Sequence, residues 1–499
     1  MVNDWRTEIL SIFVFEKILL LKKLFVILLF ALSSSLLNLC SAQFTVMHNF
    51  NDTNGGGPQY GSLTLSGNVL YGMTAGGGVC SNGVVFSINN INNNYKDIYD
   101  FNCYWSDPNH SEGYRPWGSL TLSGNMFYGT TWWGANFYRW GNIFSIDTNG
   151  GGYNDLLELG SPMGANPEAD LTLSSNTLFG MAQGGNGDGT IFSINTNGSN
   201  PKTLLSFNGT NGYNVNGNLT HLGGLLYGMA QGGGAYSYGC IFHIDTNGNG
   251  FKDIYDFTGG TNGGFPAQSL TLSGGVFYGM ARGGVHDSGC IFSIDTNGSN
   301  YKVLFSFNYQ QGYTTYYLGS LTLSGNKLFG VTPNGGAYND GVAFSIDTNG
   351  NGFKDLYYFN PPNGITPCGA LTISGGSLYG MTSAGGKDNA GVIFKLDTSA
   401  VATGNNITTT KDFINVYPNP NNGIFTLSCH SDSPAGGEES LPTIKVYNVL
   451  GQQVFNETLR FSHGDNLIEL INQPSGIYLC RVIANSGNLL GEGKLVIIK

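Results

Sequence analysis

Charge is scarce in this 499-residue chain and has the wrong sign for nucleic acid: Asp, Glu, Lys and Arg together make up 11% of it, and the formal net charge is −11. Such a surface repels a polyanion, so DNA and RNA are excluded as expected partners. Arginine is confined to Arg115, Arg139 and Arg282 between residues 43 and 398. No cysteine pair has CxxC spacing, which leaves a zinc site without support. The seven histidines are scattered and read as surface or strand residues. Beyond residue 42 no apolar run approaches the length of a membrane span. Tryptophan is absent after residue 140.

Glycine, by contrast, is abundant at 77 residues, and aromatics reach 13%, a balance suited to many short strands joined by tight turns. The phrase LTLS, followed by an LYGM-like run and an IFSID-like run, recurs from Leu63, Leu120, Leu171, Leu219 (as LTHL), Leu270, Leu321 and Leu371 (as LTIS). A spacing of 48 to 57 residues holds four short strands. The SGG or SGN break and the DTNG break have the chemistry of hairpin turns, where Gly and Asn tolerate positive φ. The seventh unit stops at Asp397 with only three strands, while Phe44–Phe50 (FTVMHNF) matches the fourth-strand runs from Tyr95 and Tyr301 and has no LTLS before it. The N-terminal run is therefore expected to complete the last unit, giving an all-β, seven-bladed β-propeller over 43–398.

Upstream, KILLLKK, an apolar stretch and Cys40-Ser41-Ala42 read as a signal peptide spanning 1–42. Leu39 is not the small residue a lipid-attachment site wants before Cys40. Cleavage leaves 17 basic and 29 acidic side chains, a formal charge of −12. Seven cysteines remain, so at least one thiol is unpaired; Cys80 and Cys103 lie in one unit and are placed to pair.

The units LYGMTAGGGVCSNGVVFSI (from Leu70) and LFGVTPNGGAYNDGVAFSI (from Leu328) resemble the tandem repeat called GloVer, which implies a secreted or surface-anchored bacterial protein and no established chemistry. After a polar linker at 399–412, the segments INVYPNPNNGIFTLS, IKVYNVLGQQV and PSGIYLCRV, in order and at the chain end, resemble the C-terminal sorting domain of the type IX secretion system of Bacteroidetes. That resemblance implies a small immunoglobulin-like β-sandwich over 413–499, recognised by the outer-membrane secretion machinery. The residues themselves suggest seven or so alternating strands around Tyr417, Phe425, Val446, Tyr447, Ile477 and Tyr478.

Two patterns bear on chemistry. The turn DTNGNGFKD places Asp245, Asn247, Asn249 and Asp253 at oxygen-ligand spacing and resembles a calcium loop; Asx hairpin chemistry explains the same residues without metal. The S-I-D-T-N-G phrase resembles the Asp-box of sialidases, but three arginines are too few for that active site. Because a residue repeated in every unit is explained by the repeat, a site must be sought among its exceptions. The clearest exception is aromatic: Trp105, Trp117, Trp132, Trp133 and Trp140, with Tyr138, all fall within 36 residues. Trp105 and Trp117 belong to the connection between the first two units, and the others to the loop after the second strand of the second unit, which is expected on the same face. Exposed rings there suit a sugar face or a protein partner; buried rings would merely fill space between the units. The expectation is an exported binding module for glycan or protein, not an enzyme and without cofactor. An enzyme using Asp107, His110, Glu112, Arg115 and Arg139 of the same loops, and a structural surface component, are the alternatives.

Overall fold

The computed structural model describes residues 43–101, 113–134, 140–184, 188–266, 268–313 and 319–398, and then 414–417, 424–429, 443–448, 452–458, 464–483 and 489–497. The segments read as signal (1–42) and linker (399–412) lie outside them. Helix among the described residues is limited to the short 3-10 turns Gly260–Asn262 and Pro361–Asn363. The chain divides into two units, Met1–Ala402 and Thr403–Lys499.

The larger unit is propeller-like, built of seven antiparallel sheets among the described residues. The fifth shows the common plan: Thr271–Ser273, Val276–Ala281, Cys290–Asp295 and Lys302–Ser306, paired in chain order. Gly279 stands opposite Phe292, whose ring lies across it; a Cβ at Gly279 would come within 2.5 Å of the ring. The same Gly–Phe pair recurs in every sheet, from Gly72 with Phe86 to Gly380 with Phe394, which explains the invariable Gly of the LYGM-like run. The second sheet departs from the plan. Its connection contributes an extra strand, Tyr114–Pro116, which pairs with a second long strand extended to Met126–Trp133. Trp132 and Trp133 thus lie on a strand rather than in the expected loop, because the added strand supplies backbone partners there.

Inter-sheet contacts follow one scheme. Thr64, Thr121, Thr172, Thr220, Thr271 and Thr322 each donate through Oγ1 to the carbonyl of the Leu opening the next unit, and Thr372 donates to Leu63. On the outer strands, aromatic rings of neighbouring sheets stack: Tyr99 on Tyr153 at 4.7 Å, Tyr255 on Tyr301 at 4.1 Å, Phe305 on Phe353 at 3.9 Å.

The N-terminal strand Gln43–Asn49 pairs antiparallel with Val392–Asp397, from Gln43 opposite Asp397 to Asn49 opposite Val392. It sits as the fourth strand of the seventh sheet, where the sequence places it. Phe44 stacks on Tyr357 of the sixth sheet and His48 on Tyr95 of the first, both at 3.8 Å, so it continues the ring stacking in both directions. Asn49 Oδ1 accepts the Lys387 N–H as Asp100 accepts that of Val79 in the first sheet and Asp256 that of Ala235 in the fourth. Phe50 is fully buried, like Phe101, Phe257 and Phe307 at the equivalent positions.

The smaller unit contains a three-stranded sheet (Ile414–Tyr417, Ile424–Cys429, Gly464–Glu469) and a four-stranded one (Gln453–Thr458, Thr443–Asn448, Gly476–Ile483, Leu489–Ile497). Ile468 of the first sheet and Ile444, Val446, Tyr478 and Leu495 of the second share one core. Tyr447 is only half-buried, with the Arg481 guanidinium 5.7 Å from its ring.

Candidate ligand site

Three of the expected tryptophans come together. Trp117, on the connection into the second sheet, stacks face to face on Trp132, with centroids 4.3 Å apart and planes 5° from parallel. Trp133 lies 4.9 Å beyond, tilted 28°, and the Arg115 guanidinium covers its ring at 4.6 Å. Tyr60, on the corresponding connection of the first sheet, meets Trp117 edge-on at 5.4 Å, and its N–H donates to the Trp117 carbonyl at 3.2 Å. Tyr60, Trp117, Trp132 and Trp133 are all half-buried, forming a row with neither its faces wholly hidden nor its rings free. The buried Nε1–H of Trp132 has no hydrogen-bond partner among the described residues. Arg115 holds a left-handed backbone, φ 57°, anchored by its N–H donating to Asn82 O at 2.9 Å. An Arg in that conformation carries a cost of about 1 kcal/mol, which its place over Trp133 offsets. Trp140 is separate, its ring packed over Gly160. Trp105 and Tyr138 lie outside the described residues, as do Asp107, His110, Glu112 and Arg139.

Beside the row opens a cavity of about 490 Å³, lined by residues at the start of the first strands of all seven sheets. The residue before each opening Leu makes a polar girdle. Ser62 N–H donates to Ser119 Oγ, Ser119 N–H to Asp170 Oδ1, Asp170 N–H to Asn218 Oδ1, Asn218 N–H to Ser269 Oγ and Ser269 N–H to Ser320 Oγ. Ala370 donates to Ser62 Oγ but offers Ser320 no side-chain acceptor in return. Three residues before the opening Leu stand Tyr60, Trp117, Glu168 and Asn216 in successive units, so Glu168 follows Trp117 around the mouth. Asn166, two residues upstream, donates through Nδ2 to the Trp132 carbonyl at 2.9 Å, tying this segment to the row.

Two carboxyls border the cavity, and sequence reasoning missed both. Burial pushes Glu168 up to about 7, opposed by its hydrogen bond with Gln183. Asp170 is also raised by burial, against hydrogen bonds from Ser119 and from Asn218, whose Nδ2 reaches Oδ2 at 2.6 Å. No Lys, Arg or His lines the cavity among the described residues. The signal was present: Asp170 stands where most units have Ser, and Glu168 where the others have Tyr, Trp, Asn, Ala, Leu or Cys.

The DTNGNGFKD turn does not gather its oxygens. Asp245 Oδ1 accepts the N–H groups of Asn247 and Asn249, both at 2.8 Å, an Asx turn that holds its carboxyl below the ordinary range. Asp253 lies along the next strand, opposite Phe242 and toward Cys240, at the other end of the Cys240–Asp245 strand. No group of three or more His, Cys, Asp or Glu among the described residues is arranged to hold a metal. Cys80 is disulfide-bonded, while Cys240, Cys290, Cys368 and Cys480 are free, their thiols raised by burial; Cys103 lies outside the described residues.

Residues 104–288 and 277–428 match the Gloeobacter/Verrucomicrobia repeat, and residues 415–498 match the secretion system C-terminal sorting domain. No curated protein matches the chain in sequence. Among solved structures, the extracellular domain of a putative one-component system from B. thetaiotaomicron is 11% identical with a TM-score of 0.45, over 91% of this chain and 59% of that one. PorZ, a surface component of the type IX secretion system of Porphyromonas gingivalis, is 13% identical with a TM-score of 0.31, over 87% of this chain and 64% of its own. An oligogalacturonate lyase from Vibrio parahaemolyticus is 8% identical with a TM-score of 0.42, over 72% of this chain and 97% of its own. The chain thus spans less than two thirds of the first two. Its sorting domain marks it as a protein exported through the outer membrane, to the cell surface or the medium. By the extent of the repeat match, the chain belongs to the Gloeobacter/Verrucomicrobia repeat family and ends in a type IX sorting domain.

Proposed function

We propose that the protein is an exported carbohydrate-binding module: a closed seven-bladed propeller over 43–398 that presents the tryptophan row, preceded by a signal peptide (1–42). A linker (399–412) joins it to an immunoglobulin-like sandwich (413–499) handled by the type IX machinery. The threonine bonds that return from Thr372 to Leu63, and the ring stacking through Phe44 and His48, support closure. The shared core of the two C-terminal sheets supports the sandwich.

The observation that carries the binding reading is the half-buried Trp117–Trp132–Trp133 row. Indole rings offer flat apolar area to the C–H face of a sugar, with few torsions to freeze. No unit after the second carries tryptophan, so the fold itself does not require this row.

The test is a glycan array on the mature protein followed by calorimetry, with and without a calcium chelator. Trp117→Ala and Trp132→Ala should each weaken oligosaccharide binding by about 1 to 3 kcal/mol with melting little changed, and chelation should leave affinity unaltered. If no oligosaccharide binds, or the variants chiefly lower melting temperature, the row is packing. Release of shortened products would favour the enzyme alternative.

A further inference from the structure

The tryptophan row and the axial cavity are one surface. Tyr60 belongs to both, touching Trp117 and lining the cavity, while Glu168 occupies the next position around the mouth after Trp117. A ligand lying along the row therefore brings one end to the mouth. We propose that this mouth is the subsite for a protonated amino sugar at the end of the bound oligosaccharide, with Glu168 as its counter-charge and with acidic sugars excluded. This deepens the carbohydrate reading and rests on it.

Size, charge and hydrogen-bond supply all point the same way. A cavity of about 490 Å³ is in the range of small-ligand pockets, roughly 300 to 1,000 Å³. Among the described residues its lining holds two carboxyls and no cation, so a uronate or sulfated sugar would meet like charge in a partly dehydrated space. An ammonium meets the reverse. Of the two carboxyls, Asp170 is already committed, with one oxygen on the Ser119 N–H and the other on Asn218 Nδ2. Glu168 sits at the mouth and is bonded to Gln183, which also donates to Asn216 Oδ1 at 3.0 Å. That network orients Glu168 and supplies it no counter-charge. A carboxyl kept from water and facing no cation is a poor arrangement for the empty protein and a favourable one once an ammonium arrives, since a charge-assisted bond replaces lost hydration. Gln268 is in the same lining, and the Ser269 hydroxyl, which accepts the Asn218 N–H, keeps its own proton to donate to a sugar hydroxyl.

The experiment is calorimetry of the mature protein near neutral pH, where the Glu168 carboxylate and a sugar ammonium can favour each other's ionised form, with four tetrasaccharides of matched length: glucosamine, N-acetylglucosamine, glucose and galacturonate. The expected result is that the glucosamine oligomer binds about tenfold or more tighter than the glucose oligomer, with galacturonate weakest. Glu168→Gln should abolish the amine advantage while changing affinity for the glucose oligomer by less than about threefold; Trp132→Ala should weaken both. In the unmodified protein, raising salt should reduce the amine advantage and spare the glucose oligomer, a measurement independent of the variant's folding. An amine advantage that survives Glu168→Gln or high salt, no advantage at all, or a preference for galacturonate overturns the proposal and leaves the tryptophan row standing. If none of the four binds, the carbohydrate reading itself has failed.

Discussion

Phe50 allows the role of the N-terminal strand to be measured. Its side chain is fully buried at the junction of the seventh and first sheets, edge-on to Phe86 at 5.4 Å and to Tyr95 at 6.2 Å. Phe257 holds the equivalent place between the fourth and fifth sheets, edge-on to Phe292 at 5.4 Å and Tyr301 at 5.9 Å. Truncating a fully buried Phe costs about 3 to 5 kcal/mol, the sum of lost transfer energy and the cavity left behind. If the N-terminal strand is an integral member of the last sheet, Phe50→Ala and Phe257→Ala should cost the same within about 1 kcal/mol. An appendage would give Phe50→Ala less than about 0.5 kcal/mol. Urea unfolding followed by tryptophan fluorescence is the assay, because every tryptophan of the mature chain lies between residues 105 and 140 and the sorting domain has none. The signal therefore isolates the larger unit from the smaller. A near-silent Phe50→Ala beside a costly Phe257→Ala would refute the closure argument.

Gly279→Ala should destabilise the larger unit by about 1 to 3 kcal/mol in the same assay, since the new methyl meets the Phe292 ring. Stability should also fall as pH rises. The folded carboxyl of Glu168 is raised from 4.5 to about 7 and that of Asp97 from 3.8 to about 6, so the native state binds more protons than the unfolded one in that window. The favourable contribution is complete below about pH 4 and lost by about pH 8; Glu168→Gln should remove about 1 to 3 kcal/mol of the slope, read as urea midpoints across that range. Deleting residues after Ile414 should hold the protein in the periplasm, measured by cell fractionation, with the fluorescence-detected transition of the larger unit unchanged.

The closing strand was legible in the sequence because FTVMHNF carries side chains that only a fourth strand needs: an aromatic first residue to stack on one neighbour, a ring at the fifth to stack on the other, and a Phe at the end to bury. The tryptophan row was legible as an exception to the repeat, although its backbone was not. Nothing in YRP announces a strand, and its pairing with Trp133 and Thr131 depends on how the connection folds back. Glu168 and Asp170 escaped notice for a different reason. The first strand of most sheets is only three residues, too short to show a periodicity, so the residues just before it read as loop. Their meeting around one axis is a property of all seven units together, visible in sequence only when one position is compared down the units, where Asp170 replaces Ser.

The pairing of Gln43 with Asp397 also orders events in time. The first strand to be made finds its partner about 350 residues later, yet the entropy of closing so long a loop exceeds that of closing one unit by only about 1 to 2 kcal/mol. The wait is thus cheap in free energy and long in sequence. Until the last repeat is complete, the chain carries two bare strand edges open to other chains; once it is complete, both vanish in a single step. A copy that stops short of Val392–Asp397 keeps both of these edges bare, and a copy that reaches it covers each with the other.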